Sequence, residues 1–350
     1  MKDLSVNCPM DRRSRGAIGD DDKGEGIYVK QILVAEPGGP EQMAVLEVPT
    51  PIPGPGQALV AIHVAGVNFL DVYFRTGLYK SDRPIAIGSE AAGVVEAVGD
   101  GVTDVAAGDR VAYAMVRGTY AEYAVVPAVN LVKIPDAIGF EIAAAVFLQG
   151  ATAHYLTRTT FPLNATHTCL VHAAAGGAGG LVVQMAKAAG AIVIGTAGSA
   201  EKAREATALG ADHAIVYTEQ DFEAEVKRIT DGRGVHVVYD SVGKTTFDKG
   251  LRLLRPRGMM ALFGQSSGPV PPVDPLTLNA GSLFLTRPSL GHYLQPPDEL
   301  RWRVGEVFEM VTRGALRVRI SGSYPLADAA QAHRDLEGRK THGKLLLAVR

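Results

Sequence analysis

Cysteine and long apolar runs are both scarce in this chain of 350 residues. Its two cysteines, Cys8 and Cys169, cannot form a disulfide framework or a multi-cysteine zinc site. No apolar run reaches the 18 or more residues of a membrane span, and the charged N-terminal residues do not fit a signal peptide. We therefore expect a cytoplasmic protein that does not associate with membranes.

An excess of charge of either sign is also missing. The chain carries 35 Lys and Arg residues against 37 Asp and Glu residues, a net charge of -2. A dedicated nucleic-acid-binding surface needs enough positive charge to neutralise many phosphates. We therefore do not expect nucleic acid as a partner.

The length of the chain is sufficient for two domains, each with its own core. Residues 1–26 are polar and include the charged run Asp20-Asp21-Asp22-Lys23. Such a composition predicts a disordered leader that is not part of the fold. Folded structure is predicted to begin near Ile27, where an apolar run with strand character starts.

The most informative stretch runs from Thr168 to Ala197. It reads as an apolar strand, a Gly-rich turn, a segment with helical spacing of apolar residues and a second β-branched strand, which together form a βαβ unit. At the turn, Ala173, Gly176 and Gly179 give A-x-x-G-x-x-G, where small residues let the backbone approach a pyrophosphate at the helix N-terminus. A tight turn needing glycine for packing alone is the alternative, but the flanking strand and helix favour a dinucleotide site.

The end of the second strand lacks the acidic residue that usually accepts hydrogen bonds from the ribose 2′-hydroxyl of NAD. Thr196 to Ser199 contain no carboxylate, and Lys202 follows shortly after. Hydroxyl groups and a cation suit a 2′-phosphate. The sequence therefore predicts NADPH rather than NADH, although Lys202 alone could be an ordinary solvated surface charge.

Strands and helices continue to alternate after this unit, and six strands are predicted in all, the number of a doubly wound parallel sheet. The preceding part has the short strands and glycine turns of an all-β unit, as in residues 88–114. The segment 68–79 mixes polar and aromatic residues without a clean period and is predicted to be a loop of the site. The predicted fold class is α/β, with an all-β domain beside a doubly wound sheet.

Several separated motifs resemble the quinone oxidoreductases of the medium-chain dehydrogenase/reductase superfamily. They are G-x-E-x-x-G-V-V-x-x-V-G from Gly88, G-D-R-V from Gly108, HAAAGG at 172–177, YDSVG at 239–243 and LTRPSL at 285–290. The resemblance implies a GroES-like all-β catalytic domain assembled from residues 27–149 and 287–350. It also implies a Rossmann NADPH-binding domain over residues 150–286, with the active site in the cleft between the two domains.

The resemblance also implies which residues bind the cofactor. The implied NADPH contacts are Asn68, Tyr73, Ala173, Gly176, Gly177, Gly179, Lys202, Tyr217, Ser241, Phe263, Ser266 and Arg339. Of these, Lys202, Tyr217 and Arg339 would hold the 2′-phosphate. The zinc-ligand positions of zinc-dependent relatives are held by Asn68, Ser89 and Gln149, which are poor zinc ligands, so we expect no metal.

Without a metal, the expected chemistry is hydride transfer from NADPH to an electron-poor acceptor. Asn68 and Tyr73 are the candidates for hydrogen bonds to the nicotinamide or the acceptor, and Tyr73 is also a candidate proton donor. Asp71 is a third catalytic candidate, with a loop-capping carboxylate as the alternative. Tyr79 and Phe263 are expected to hold a flat acceptor ring, and Gln149 is a further substrate candidate.

These features predict an NADPH:quinone oxidoreductase that reduces 1,2- or 1,4-quinones. One alternative is reduction of an enone or an enoyl thioester, which uses the same hydride geometry. Another is an NADPH-binding protein with a structural or RNA-binding role, as in some zeta-crystallin relatives, against which the near-neutral charge argues. A homodimer is expected, because an exposed apolar edge strand at 282–286 would need a partner.

Overall fold

A computed structural model describes residues 27–339 and 341–350 of the protein. The predicted leader, residues 1–26, lies outside the described residues. The strands are β1 (Tyr28–Val34), β2 (Met43–Pro49), β3 (Gln57–Val67), β4 (Ile85–Ala86), β5 (Glu90–Val98), β6 (Arg110–Ala114), β7 (Tyr123–Pro127), β8 (Val132–Lys133), β9 (Thr168–Val171), β10 (Ile192–Ala197), β11 (His213–Val216), β12 (Val235–Asp240), β13 (Leu254–Leu262), β14 (Phe284–Thr286), β15 (Ile320–Pro325) and β16 (Lys344–Ala348).

The helices connect and cover these strands. They are α1 (Phe69–Arg75), α2 (Phe140–Tyr155), α3 (Gly177–Ala188), α4 (Ala200–Ala208), α5 (Phe222–Ile229), α6 (Phe247–Arg252), α7 (Leu290–Tyr293), α8 (Pro297–Thr312) and α9 (Ala329–Glu337). None of the helices in the described part of the chain combines the length and the apolar character that crossing a membrane requires.

One lobe is built on a six-stranded sheet in which every pairing is parallel. The strand order is β11-β10-β9-β12-β13-β14, so the chain winds outwards from β9 in one direction and then returns to wind in the other. Helices α3 and α4 pack on one face, and α5 and α6 pack on the other. Because both faces are covered, the strands are continuous apolar runs. The predicted doubly wound fold is confirmed.

The other lobe takes its strands from both ends of the chain. Its larger sheet has the order β15-β16-β3-β5-β6-β8, with β7 also paired to β3, and a smaller sheet has the order β2-β1-β4. The C-terminal strand β16 pairs antiparallel with β3, so residues near the end of the chain stand beside residues near position 67. This pairing places β16 beside the start of α1, which follows β3 in the chain.

Helix α2 joins the two lobes. It packs against α3 and α8 and also against β5 and β6. Gly150 allows the close approach of α8, because a Cβ at this position would lie 2.7 Å from Val307 Cγ1. The predicted domain boundary at residues 149 and 150 falls inside this helix, so α2 contributes to both lobes.

The segment 68–79 was predicted to be a loop, and this prediction was wrong for its first part, which forms the helix α1. The apolar period of α1 is concealed because its buried face includes the charged residues Asp71 and Arg75, each only 1% exposed. The last strand of the parallel sheet is also shorter than predicted, since Ser282 has a left-handed φ of 49° and β14 begins at Phe284.

Two buried tyrosines in the second lobe differ in whether their hydroxyl group has a hydrogen-bond partner. The Tyr113 hydroxyl has no hydrogen-bond partner among the described residues. The Tyr120 hydroxyl donates to Asp71 Oδ2 at 3.1 Å and lies 3.2 Å from His333 Nε2. A buried polar group without a partner is unfavourable, whereas removing a bonded group leaves its partners unsatisfied.

We therefore expect Tyr113→Phe to leave the free energy of unfolding unchanged or to raise it. Tyr120→Phe, the matched control, should lower it by about 1–3 kcal/mol. Urea denaturation of the two variants beside the wild type measures both effects. Equal losses of stability in the two variants would contradict this account of the two hydroxyl groups.

Candidate functional site

The Gly-rich turn follows the carboxyl end of β9, where a dinucleotide site is expected in such a sheet. Ala173 has a left-handed φ of 53°, and a Cβ at Gly179 would lie 2.2 Å from the Ala173 carbonyl oxygen. Helix α3 begins after Gly176, which provides no side-chain cap, so the first N–H groups of the helix are free to bind an anion. The turn therefore fits a pyrophosphate group.

A cavity of about 140 Å³ lies between the lobes beside this turn. Gly176 and Gly177 line it from the parallel-sheet lobe, and Arg317 and Lys344 line it from the other lobe. Gln149, a predicted substrate contact, lies against Gly177, because a Cβ at Gly177 would be 2.2 Å from Gln149 Oε1. Arg319 and Glu205, which form an ion pair, also line the cavity. The features that suit a phosphate group are therefore the helix N-terminus and Arg317.

The predicted 2′-phosphate residues meet at the end of β10. Ser199 caps α4 by accepting a hydrogen bond from the Lys202 backbone N–H at 3.2 Å. Lys202 Nζ donates to the Arg339 carbonyl oxygen at 2.8 Å, which joins the two lobes. A Cβ at Gly198 would lie 2.8 Å from the Tyr217 hydroxyl, so this hydroxyl lies beside the same turn.

The electrostatics of this corner favour an anion. Burial lowers the pKa of Lys202, the Glu205 carboxylate raises it, the Arg339 charge lowers it, and Glu201 raises it slightly. Two cations held close together are stabilised by a group that carries two negative charges. The residues at the end of β10 therefore fit the phosphate of NADPH better than the free ribose hydroxyl of NADH.

The nicotinamide end of the predicted site is formed where α1 meets the loops after β12 and β13. The Tyr73 hydroxyl accepts a hydrogen bond from the Gln265 backbone N–H at 3.0 Å, which joins the two lobes at this end. The loop carrying Ser241 and the loop carrying Phe263 and Ser266 are joined by the Ser266 N–H, which donates to the Ser241 carbonyl at 3.1 Å. The structure thus brings these predicted residues to one edge.

Burial raises the pKa of Tyr73 to about 12. The phenol is therefore neutral at pH 7, and its own hydroxyl hydrogen is available as a donor. Its ring lies 5.3 Å from the ring of Tyr79. Tyr79 in turn accepts a hydrogen bond from Arg287 Nη2 at 3.2 Å. The aromatic pair therefore lies beside a cation.

Asn68 is held in a buried polar cluster that the sequence analysis missed. Lys344 Nζ donates to Asn68 Oδ1 at 2.7 Å, and Asn68 Nδ2 donates to Glu90 Oε2 at 3.0 Å. Lys344 also forms an ion pair with Glu90, and both side chains are at most 1% exposed. Since an ammonium group only donates and a carboxylate only accepts, this pair fixes which side of the Asn68 amide is oxygen. Asn68 Nδ2 also donates to the Gly66 carbonyl at 3.4 Å, so both amide hydrogens have partners.

Asp71 lies behind Asn68 and caps α1. Its Oδ2 accepts from the Asn68 backbone N–H at 2.9 Å, and its Oδ1 accepts from the Ser89 hydroxyl at 2.7 Å. Burial raises the pKa of Asp71 to about 6, although the hydrogen bonds from Ser89 and Asn68 oppose the rise. Because the carboxyl group is enclosed and bonded, its geometry suits the positioning of α1 better than contact with a substrate.

A chain of hydrogen bonds continues from Asp71 to α9. Tyr120 donates to Asp71, so His333 Nε2 carries the hydrogen that Tyr120 accepts. His333 Nδ1 is then an acceptor for Arg75 Nη1 at 3.2 Å. The three bonds from Arg75 through His333 and Tyr120 thus all run towards Asp71. Arg75 also donates to Glu337 Oε1 at 2.9 Å, so the chain fastens α1 to the helix that precedes Arg339.

Local sequence signals for these additional residues were weak or absent. Glu90 belongs to the G-x-E motif, and Lys344 directly precedes an apolar strand, which is an unusual place for a charged residue. His333 and Arg75 pair across 258 positions, so no local pattern could have indicated their contact.

The three positions that bind zinc in zinc-dependent relatives are occupied by neutral side chains with other contacts. Asn68 is bonded to Glu90 and Lys344, and Ser89 is bonded to Asp71. Within the described ranges, the group with metal-ligand spacing is elsewhere and comprises Glu201, Glu205 and His342. There the Glu205 carboxylate already pairs with Arg319 and His342. The expectation of a metal-free site stays a prediction.

The buried hydrogen-bond chain predicts a pH dependence of stability. Burial and, to a smaller extent, the Arg75 charge lower the pKa of His333 to about 3, whereas an unfolded histidine titrates at about 6.5. Between these values this histidine binds more protons in the unfolded chain, so its contribution to stability falls as the pH drops, by up to about 1.4 kcal/mol per pH unit.

His333→Gln should reduce this slope in denaturation measurements from pH 7.5 to 5, and His213→Gln, at an exposed position, should not. Equal slopes in the wild type and His333→Gln would contradict the prediction.

Two family models match the chain. Residues 54–136 match the alcohol dehydrogenase GroES-like domain, and residues 177–302 match the zinc-binding dehydrogenase family. The first match covers strands of the lobe that contains α1, and the second covers most of the parallel sheet. The predicted pair of a GroES-like domain and a Rossmann domain is confirmed.

Relatives match almost the whole chain. A quinone oxidoreductase of Pseudomonas aeruginosa is 44% identical and covers 91% of this chain and 99% of that protein. A 2-haloacrylate reductase of a Burkholderia species is 42% identical, over 91% of this chain and 98% of that protein. The solved structure of Escherichia coli quinone oxidoreductase in complex with NADPH is 42% identical, covers 91% of this chain and 100% of that chain, and has a TM-score of 0.90. The chain belongs to the quinone oxidoreductase family of the medium-chain dehydrogenases/reductases.

Proposed function

We propose that this protein is an NADPH:quinone oxidoreductase. The observation that carries the proposal is the cleft itself, in which a phosphate-binding corner and an aromatic pair lie along the same edge of the parallel sheet. Lys202 and Arg339 form the phosphate-binding corner, and Tyr73 and Tyr79 form the aromatic pair. The relationship to quinone oxidoreductases, one of them solved with NADPH, supports the assignment.

The chain's own residues would hold the cofactor along this edge. Lys202, Arg339 and Tyr217 would bind the 2′-phosphate, and the turn from Ala173 to Gly179 would bind the pyrophosphate. At the other end, the nicotinamide would lie among the remaining predicted contacts, which are Asn68, Tyr73, Ser241, Phe263 and Ser266. NADPH, when bound, supplies the hydride for the reaction.

The protein contributes position and a hydrogen-bond donor. Tyr73 is 9% exposed, and its hydroxyl is held by the Gln265 N–H while keeping its own hydrogen. We propose that this hydrogen bonds to an oxygen of the acceptor and favours the negative charge that develops there. Asn68 remains a predicted contact of the nicotinamide or the acceptor, with its amide fixed by Lys344 and Glu90. Asp71 would act by positioning α1 rather than by touching substrate.

A related activity is reduction of an activated carbon–carbon double bond. The relationship to the 2-haloacrylate reductase favours it as the second candidate, because hydride transfer to such an acceptor requires the same cleft. The aromatic pair of Tyr73 and Tyr79, which offers flat surfaces to a ring, favours a quinone.

We also propose that the protein is a homodimer. The edge strand β14 pairs only with β13 among the described strands, and Phe284 on it is 56% exposed. A second copy could continue the sheet across a twofold axis, and sedimentation velocity at micromolar concentration would report a monomer if this is wrong. The cytoplasmic location stays a prediction, which cell fractionation can test.

The proposed activity is tested by steady-state kinetics with 1,2- and 1,4-quinones, an enone and 2-chloroacrylate, each with NADPH and with NADH. We expect NADPH oxidation with the quinones at a higher kcat/KM than with the other acceptors. Turnover of enone or haloacrylate alone would favour the second candidate. NADPH binding without turnover of any acceptor would contradict both.

Lys202→Ala should weaken binding of NADPH about 10–100-fold, because it removes a charge-assisted contact with the phosphate. Binding of NADH, which lacks this phosphate, should change by less than about threefold. Lys187→Ala is the matched control, since Lys187 lies on the same lobe and pairs with Asp212 at the surface. Equal losses of affinity for NADPH and NADH in titrations of Lys202→Ala would show that Lys202 does not bind the 2′-phosphate.

A further inference from the structure

Arg287 is a charged residue of the cleft to which neither the sequence motifs nor the proposed chemistry assigns a role. It directly follows the carboxyl end of β14 and is exposed. It therefore lies on the same edge of the sheet as the Gly-rich turn and the loop that contacts Tyr73. Its position raises the question of what the guanidinium group binds.

Two hydrogen bonds fix the guanidinium group across the mouth of the cleft. Arg287 Nη1 donates to the Leu262 carbonyl at the end of β13 at 3.1 Å, and Nη2 donates to the Tyr79 hydroxyl at 3.2 Å. Leu262 belongs to the parallel-sheet lobe and Tyr79 to the other lobe. A guanidinium group has five N–H donors in a rigid plane, so this anchoring leaves donors available beside the aromatic pair.

The guanidinium group of Arg287 carries a positive charge at this position. Within residues 27–339 and 341–350, no carboxylate forms an ion pair with it. A second cation, Arg117, approaches from the loop after β6, where it bonds to Ser81 and stacks on the Phe74 ring at 5.2 Å. Phe74 also contacts the ring of Tyr79 at 5.7 Å. Arg287 therefore provides a positive charge next to the proposed ring site.

We propose that Arg287 is a specificity-determining residue that binds an anionic substituent, a carboxylate or a sulfonate, on the electron acceptor. This inference rests on the proposed function and names the class of acceptor. The buried Tyr73 lies at the reacting end, whereas the exposed Arg287 lies nearer to solvent. A group that projects outwards from the ring can therefore reach Arg287 without displacing the ring from the aromatic pair.

The reaction remains that of the proposed function. The quinone gains two electrons and one proton as a hydride from NADPH and a second proton from water, which gives the hydroquinone and NADP⁺. The anionic substituent takes no part in bond formation. Its contact with Arg287 lowers KM and directs charged acceptors into the cleft, an effect that salt should weaken.

The test compares 1,4-naphthoquinone with 1,4-naphthoquinone-2-sulfonate in the wild type, Arg287→Gln and Arg287→Lys. For each acceptor, the ratio of kcat/KM between variant and wild type cancels the difference in intrinsic reactivity. Arg233→Gln is the control, because it removes the same charge from an exposed pair on the surface of the parallel-sheet lobe. Fluorescence titration with NADPH verifies that each variant is folded.

We expect Arg287→Gln to lower kcat/KM for the sulfonate at least about tenfold more than for the neutral quinone, mainly through KM. Arg287→Lys should recover part of this loss, and Arg233→Gln should show no selective loss. The KM of the sulfonate should rise with ionic strength in the wild type and less so in Arg287→Gln.

Equal losses for the two quinones in Arg287→Gln, or equal salt dependence in both proteins, would overturn the inference and leave the proposed function in place. A wild type that reduces neither quinone with NADPH would overturn the proposed function and this inference with it.

Discussion

The common carboxyl edge of the six parallel strands is the constraint on which the rest of the cleft depends. Because the strands run in one direction, the residues that follow them meet at one edge although they are far apart in sequence. Ala173, Ser199, Ser241, Phe263 and Arg287 each come within two residues of a strand end. One sheet thus provides an extended site, and the second lobe only has to supply the facing wall.

The facing wall is held by buried polar groups rather than by apolar packing alone. Glu90, Lys344 and Asn68 join β5, β16 and the start of α1 in one cluster. A buried ion pair is expensive to break, since removal of one partner leaves an unpaired charge and costs about 3–5 kcal/mol. The same cluster therefore joins the two chain ends that form the lobe and fixes the orientation of the Asn68 amide.

The fold could be predicted from the sequence because its signals are local, whereas much of the site wall could not. The apolar runs, the glycine turn at 173–179 and the missing acid after β10 are each contained in one short stretch. Helix α1 was predicted as a loop because Asp71 and Arg75 face inwards and hide the apolar period. Their bonds with Tyr120 and His333 depend on contacts 49 and 258 positions apart, which only the tertiary structure creates.

The central claim is that one phosphorylated dinucleotide lies along the sheet edge, between the corner at Lys202 and the hydroxyl of Tyr73. A crystal structure of the protein grown with NADPH tests it most directly. We predict that the 2′-phosphate contacts Lys202 and Arg339, that the pyrophosphate contacts the N-terminus of α3 and that the nicotinamide lies beside Tyr73. A nucleotide bound elsewhere, or bound with its nicotinamide outside the cleft, would contradict this account.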